Sequence, residues 1–174
     1  LYQFALMGTV ISREIGGIEQ PRVGLLNMGV EASKGNQVVK EAAELMNSGS
    51  INYIGYVEGH NLVEDKADVV VCDGFSGNIA IKTMEGSFHL MDKFLMDSFK
   101  SSAFNKFAGM LSKNALNRMK AKIDPRRYNG ALLLGLNGVV VKSHGNSDST
   151  GIQHALVTAI EEVQKEIVFK LKEA

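Results

Sequence analysis

Apolar positions follow two alternating patterns along this chain. Residues 2–15 carry Phe4, Leu6, Met7, Val10 and Ile11 at mixed helical spacing, and Gly16-Gly17 stops the run. Residues 22–28 form a short continuous apolar run that follows Pro21 and ends at Gly29, the length and flanks of a fully buried strand. Residues 36–47 place Val38, Val39, Ala42, Ala43, Leu45 and Met46 on the apolar side of a helix. Residues 51–57 and 68–72 read as two further strands. Continuous Val/Leu/Ile strands bounded by helices predict an α/β protein with a mostly parallel sheet covered on both faces.

The middle of the chain differs. A Gly-rich turn, Asp73-Gly74-Phe75-Ser76-Gly77-Asn78, leads into a helical stretch at residues 83–122. Phe88, Met91, Phe94, Leu95 and Phe99 form one stripe, Ser101-Ser102 breaks it, and Phe104, Phe107, Met110, Leu111, Leu116 and Met119 follow. A protruding pair of amphipathic helices is the expectation, ended by Pro125. Residues 131–134 and 139–142 return to strand character. A final helix of roughly 20 residues starts near Asp148 and carries Ile152, Leu156, Ile160, Val163 and Ile167. There is no internal repeat or low-complexity tract, and residues 1–174 read as one unit.

Composition narrows the function. With 19 Lys+Arg against 19 Asp+Glu, the chain lacks a whole-protein nucleic-acid footprint, and no nucleic-acid partner is expected. One cysteine excludes an internal disulfide framework and a Cys-based zinc cluster; Cys72 reads as a packing residue. His60, His89, His144 and His154 form no ligand spacing, so no metal site is assigned. No apolar run approaches a membrane span. Helix-like sequence begins directly after Leu1, which reads as a chain cut from something longer. Balanced charge hides a basic segment from Lys100 to Arg127, with Lys106 and Lys113 among Phe104, Phe107 and Met110 and with Asp124 as its acid. Such a segment suits a dimer interface, packing on its own domain, or contact with an anionic membrane.

In open parallel sheets, ligands gather beyond the carboxyl ends of strands, where helix N-termini offer unpaired N–H groups. Polar or Gly-rich sequence occupies three such exits: Asn27-Met28-Gly29 with Lys34-Gly35-Asn36, then Asp73–Asn78, then Lys142-Ser143-His144-Gly145-Asn146-Ser147-Asp148. None fits a dinucleotide or Walker-type loop. Each also has a purely structural reading: Lys34 as a solvated side chain, Asp73 as a helix cap, His144 as a turn residue in place of a general base.

Several ordered motifs together closely resemble the bacterial phosphate acyltransferase family of phospholipid synthesis. They are Gln3-Phe4-Ala5-Leu6-Met7-Gly8, Pro21 through Gly29 with Lys34-Gly35-Asn36, Asn52-Tyr53-Ile54-Gly55 with Val57-Glu58-Gly59, Ala67 through Asn78, and Val141 through Asp148. Met28, Val30 to Ser33 and Asn146 depart from the family's pattern. The resemblance covers essentially the whole chain and implies that it is the carboxyl-terminal half of such a protein. It implies a three-layer α/β/α fold akin to the isocitrate and isopropylmalate dehydrogenases, a homodimer, no cofactor, and a cytoplasmic enzyme peripherally attached to the inner membrane face. The implied reaction moves a fatty acyl group from acyl carrier protein to inorganic phosphate, giving acyl phosphate. A phosphotransacetylase-like enzyme and an inactive membrane-associated dimeric fragment are the competing readings.

Residue roles follow from that resemblance and the chemistry of phosphate, whose charged oxygens attack a thioester without a serine or cysteine nucleophile. Lys34 would hold phosphate or the thioester oxygen, and the Asn78 amide would donate to the oxyanion. Gly74 and Gly77 would allow close approach, and Asp73 would shape the turn. Asn27 and Gly29 would line the first loop, Lys142 and His144 the third, with Ser143 and Ser147 donating to phosphate. Phe104, Lys106, Phe107, Met110 and Lys113 are the expected membrane or carrier-protein contacts.

Overall fold

The computed structural model describes residues 1–123, 129–145 and 147–174. Asp124, Pro125, Arg126, Arg127, Tyr128 and Asn146 lie outside the described residues. The chain opens with α1 (Tyr2–Glu14), then β1 (Val23–Leu26), α2 (Gln37–Ser48), β2 (Tyr53–Val57), a short 3₁₀ turn and β3 (Val69–Val71). The three strands form a parallel sheet in the order β2-β1-β3. The central strand is the run without polar alternation, as burial on both faces demands: Val23, Gly24 and Leu25 are all buried. Val23 and Leu25 are shielded completely, each contributing about 2 kcal/mol of apolar burial. Around them pack Ala5 of α1, Ala42, Ala43 and Met46 of α2, Ile51 and Val71. Gly24 permits the closest strand contact, since a Cβ there would lie 2.2 Å from Val57 Cγ2.

A charged clamp fixes the sheet's amino-terminal edge. Arg22, just before β1, donates its backbone N–H to Asp68 Oδ2 at 2.7 Å. Its Nε reaches the same oxygen at 3.0 Å, and Nη2 reaches Asp68 Oδ1 at 2.9 Å. This fork holds the Asp68 carboxyl down at about 2, chiefly through the Arg22 side chain.

Three findings correct the expected elements. First, the long helix α3 (Gly74–Lys100) starts nine residues earlier than residue 83, because Asp73 caps it and its glycines sit inside the first turn. Second, the predicted helical pair is three helices. Ser102 caps α4 (Ala103–Leu111) after the Ser101-Ser102 break, and Ser112 separates it from α5 (Lys113–Ile123). Neither α3 nor α4 has a buried residue. The Phe99 ring lies over Gly109, where a Cβ would come within 2.9 Å of it, and Lys120 Nζ sits 2.6 Å from Asp92 Oδ1. Third, the last helix is divided into α6 (Ser149–Gln164) and α7 (Ile167–Glu173). Glu166 takes a left-handed turn at φ 53°, which buries Ile167 completely and brings α7 onto α1. Lys165 and Lys170 then both bind Glu14.

The two late strands form only a short ladder. β4 (Ala131–Leu132) and β5 (Val141–Lys142) pair antiparallel with each other and stand apart from the parallel sheet.

Candidate functional site

Each of the three polar strand exits ends on a capped helix N-terminus. After β1, Asn36 Oδ1 accepts from Val39 N–H at 2.9 Å and starts α2. After β3, Asp73 Oδ1 accepts from the N–H groups of Phe75 and Ser76, both at 2.9 Å, and Oδ2 accepts from the Ser76 hydroxyl at 2.7 Å. After β5, Asp148 Oδ1 accepts from Gly151 N–H at 2.9 Å. Asp73 is therefore the helix cap of its structural reading, and the Ser76 N–H and hydroxyl hold its carboxyl below the usual carboxylate range.

The first two exits are neighbours by topology. β1 and β3 are adjacent and parallel, with Leu25 paired to Val71, so Asn27 and Asp73 emerge side by side at the carboxyl edge. Asn27 closes its own loop: Nδ2 donates to Lys34 O at 3.2 Å, and Oδ1 accepts from Met28 N–H at 2.9 Å. Gly35 completes that turn at φ +91°, and a Cβ there would meet Asn27 Oδ1 at 2.6 Å. Gly29 lies beside the Glu31 and Lys34 side chains, and Lys34 itself is exposed. In the second exit Gly74 faces open space and Asn78 is exposed on the second turn of α3. Gly77 leaves room for Cys72, since a Cβ there would come 2.9 Å from Sγ. Burial, with Asp73 adding to it, pushes the Cys72 thiol up and keeps it a poor nucleophile.

The third exit is organised by a residue that sequence reasoning passes over. Asn129 Nδ2 donates to Ser143 Oγ at 2.8 Å, to Ser147 Oγ at 3.1 Å and to Gly151 O at 2.7 Å. Its Oδ1 accepts from His144 N–H at 2.8 Å. The Ser143 hydroxyl donates to Ser147 Oγ at 2.9 Å, and the Ser147 hydroxyl donates to His144 O at 2.7 Å. Both hydroxyl protons thus serve the loop itself, and Lys142 points outward from β5 as an exposed residue.

This loop reaches the second exit through α3. His144 Nε2 lies 2.8 Å from Lys82 Nζ, which also binds Glu85 Oε2 at 2.7 Å. Lys82 and Glu85 are further residues brought next to the candidate loops and passed over in the sequence. Their signal is register: Asn78, Lys82 and Glu85 fall on one face of a helix once that helix begins at Gly74. Among the described residues, no group of three or more His, Cys, Asp or Glu is placed to hold a metal ion.

Fold and site together define a class: an α/β domain that gathers helix-capped, glycine-bearing loops at the carboxyl edge of a parallel sheet, where such folds take anionic ligands. Residues 1–170 match the family model described as fatty acid synthesis protein, and the chain belongs to that family. It is 48% identical over 167 residues to a phosphate acyltransferase of Nitrosococcus oceani, an alignment covering 96% of this chain and 49% of the relative. A phosphate acyltransferase of Methylococcus capsulatus is 45% identical over 173 residues, 99% of this chain and 51% of the relative. One from Legionella pneumophila (strain Corby) is 47% identical over 169 residues, 97% and 49% respectively. The chain spans about half the length of the curated relatives it matches.

Proposed function

We propose that this chain is the carboxyl-terminal part of an acyltransferase that moves a fatty acyl group from acyl carrier protein to inorganic phosphate. The observation that supports it most directly is the family match over residues 1–170, with relatives named phosphate acyltransferase. The polar strand exits supply a chemical rationale. Phosphate needs positioning and a stabilised oxyanion, and it needs no protein nucleophile. In this reading Lys34 holds phosphate or the thioester oxygen, and the Asn78 amide donates to the oxyanion. Asn27, Gly29, Asp73, Gly74 and Gly77 shape the two adjacent loops, and Lys142 and His144 belong to the third. Ser143 and Ser147 act through the loop's internal hydrogen bonds, where their protons are already engaged.

The finer architecture belongs to the same proposal: a three-layer, dehydrogenase-like α/β/α fold, assembled as a homodimer and bound peripherally to the cytoplasmic membrane face. Exposed apolar groups on α4 favour a partner or lipid contact there, with Phe104 at 78% exposure, Phe107 at 55% and Met110 at 63%. Lys106 and Lys113 would meet acidic carrier protein or anionic lipid. Among the described residues no helix is long and apolar enough to cross a membrane.

Phosphate-dependent release of the carrier thiol from acyl carrier protein by the intact protein tests the reaction. Lys34→Ala and Asn78→Ala are each expected to lower kcat/KM by about 100-fold, the scale of a lost oxyanion or anion contact. Unchanged kcat/KM in both variants would reject the assignment.

A further inference from the structure

Asn129 ties the beginning of the third loop to the first turn of α6, and each tie has a fixed direction. A backbone N–H can only donate and a carbonyl can only accept. The His144 N–H at 2.8 Å therefore marks Oδ1, and the Gly151 carbonyl at 2.7 Å marks Nδ2. The amide cannot be turned over without breaking both bonds. Nδ2 has two N–H groups for three acceptors, so one is shared. The Ser143 and Ser147 oxygens, 2.9 Å apart, are the pair close enough to share it. From there the hydroxyl protons run one way, Ser143 donating to Ser147 and Ser147 to the His144 carbonyl. Two glycines seat the side chain. Gly130 lets the chain lie on α6, since a Cβ there would come 2.9 Å from Ala155 Cα, and a Cβ on Gly151 would meet Asn129 Nδ2 at 3.2 Å. The loop so held meets α3 one turn beyond Asn78, where Lys82 Nζ lies 2.8 Å from His144 Nε2.

We propose that Asn129 is a positioning residue for the transfer step. The direction of its amide holds the third loop against the Asn78 face of α3 and turns the Ser143 and Ser147 protons into the loop, so neither serine has a proton left for phosphate. Its use in turnover rests on the acyl-transfer reading above; the direction of the amide is a property of the resting protein. An acceptor alone does not suffice. Asn129→Asp keeps the shape and the contact with the His144 N–H, but an ionised carboxylate offers no proton to the Gly151 carbonyl or to either serine. The serine hydroxyls then turn back toward the carboxylate and release the His144 carbonyl.

Amide hydrogen exchange and steady-state kinetics on the intact protein test this, with melting curves showing each variant folded at the assay temperature. The wild-type His144 amide is expected to exchange about tenfold more slowly than in Asn129→Ala, and Asn129→Asp keeps that protection. Both variants are expected to lower kcat about tenfold, with KM for phosphate and for the acyl thioester within about twofold. A fall in kcat while the His144 N–H stays held is a result that a simple tether would not give. Asn129 is half-buried, and if Asn129→Ala does not fold, the isosteric Asn129→Asp carries the kinetic test alone. Equal His144 exchange in wild type and Asn129→Ala, or a kcat for Asn129→Asp within about twofold of wild type, overturns the proposal. A wild-type protein that protects His144 and shows no phosphate-dependent turnover would reject acyl transfer, and with it this use of Asn129, while the hold on the loop stands.

Discussion

Two carboxyl groups illustrate opposite ways in which a single side chain sets stability. Asp68 is nearly enclosed, at 14% side-chain exposure, and its fork with Arg22 favours the charged form down to about pH 2. Its folded pKa is depressed, so its stabilisation is complete above the unfolded value of about 4 and is lost as pH falls toward 2. Asp68→Asn should cost about 1–2 kcal/mol at pH 7 and flatten the acid limb, measured by urea unfolding at pH 7 and 2.5. Glu162 behaves in the reverse sense. It is 2% exposed, its Oε2 has no hydrogen-bond partner among the described residues, and burial pushes its carboxyl up. A raised folded value means stability is fullest below the unfolded pKa and declines as pH rises through the folded one. Glu162→Gln is expected to raise the melting temperature at pH 8 and to leave it nearly unchanged at pH 4.

At the scale of elements, legibility follows how local the determinants are. β1 and β3 are evident because neither alternates apolar with polar residues: Val23–Leu26 and Val69–Val71 are short apolar runs inside 22–28 and 68–72, the first buried and the second half-buried. The start of α3 is harder to see. Gly74 and Gly77 read as a turn until the Asp73 cap is known to convert them into a first helical turn. That displacement conceals Lys82, since a helix begun at residue 83 gives it no shared face with Asn78. Asn129 is hidden for a different reason: its four partners lie 14 to 22 residues away, and no local pattern connects them. The break at Glu166 likewise depends on packing, because Ile167 is buried against α1 only after the chain turns. On α4, whose end at Ser112 the sequence pattern does not show, Phe104 and Phe107 are exposed and Lys106 lies between them in sequence. Phe104→Ser with Phe107→Ser, or Lys106→Glu with Lys113→Glu, should weaken cosedimentation with anionic vesicles by about tenfold. Equal binding by the variants and wild type would remove lipid contact from the proposal.

Across the whole molecule, the three parallel strands have two differently built ends. At the amino-terminal edge Arg22 and Asp68 hold β1 and β3 together through charge-assisted bonds. At the carboxyl edge Asn27 and Asp73 organise loops that carry exposed Lys34 and Asn78. Parallel pairing makes this segregation unavoidable, because every strand enters on one side and leaves on the other. On the proposed acyl-transfer reading, robustness and reactivity are thus housed on separate floors of one small building. Loosening the lower floor would make the protein melt sooner while each surviving molecule worked at its old pace, so heat tolerance can drift without retuning the chemistry above.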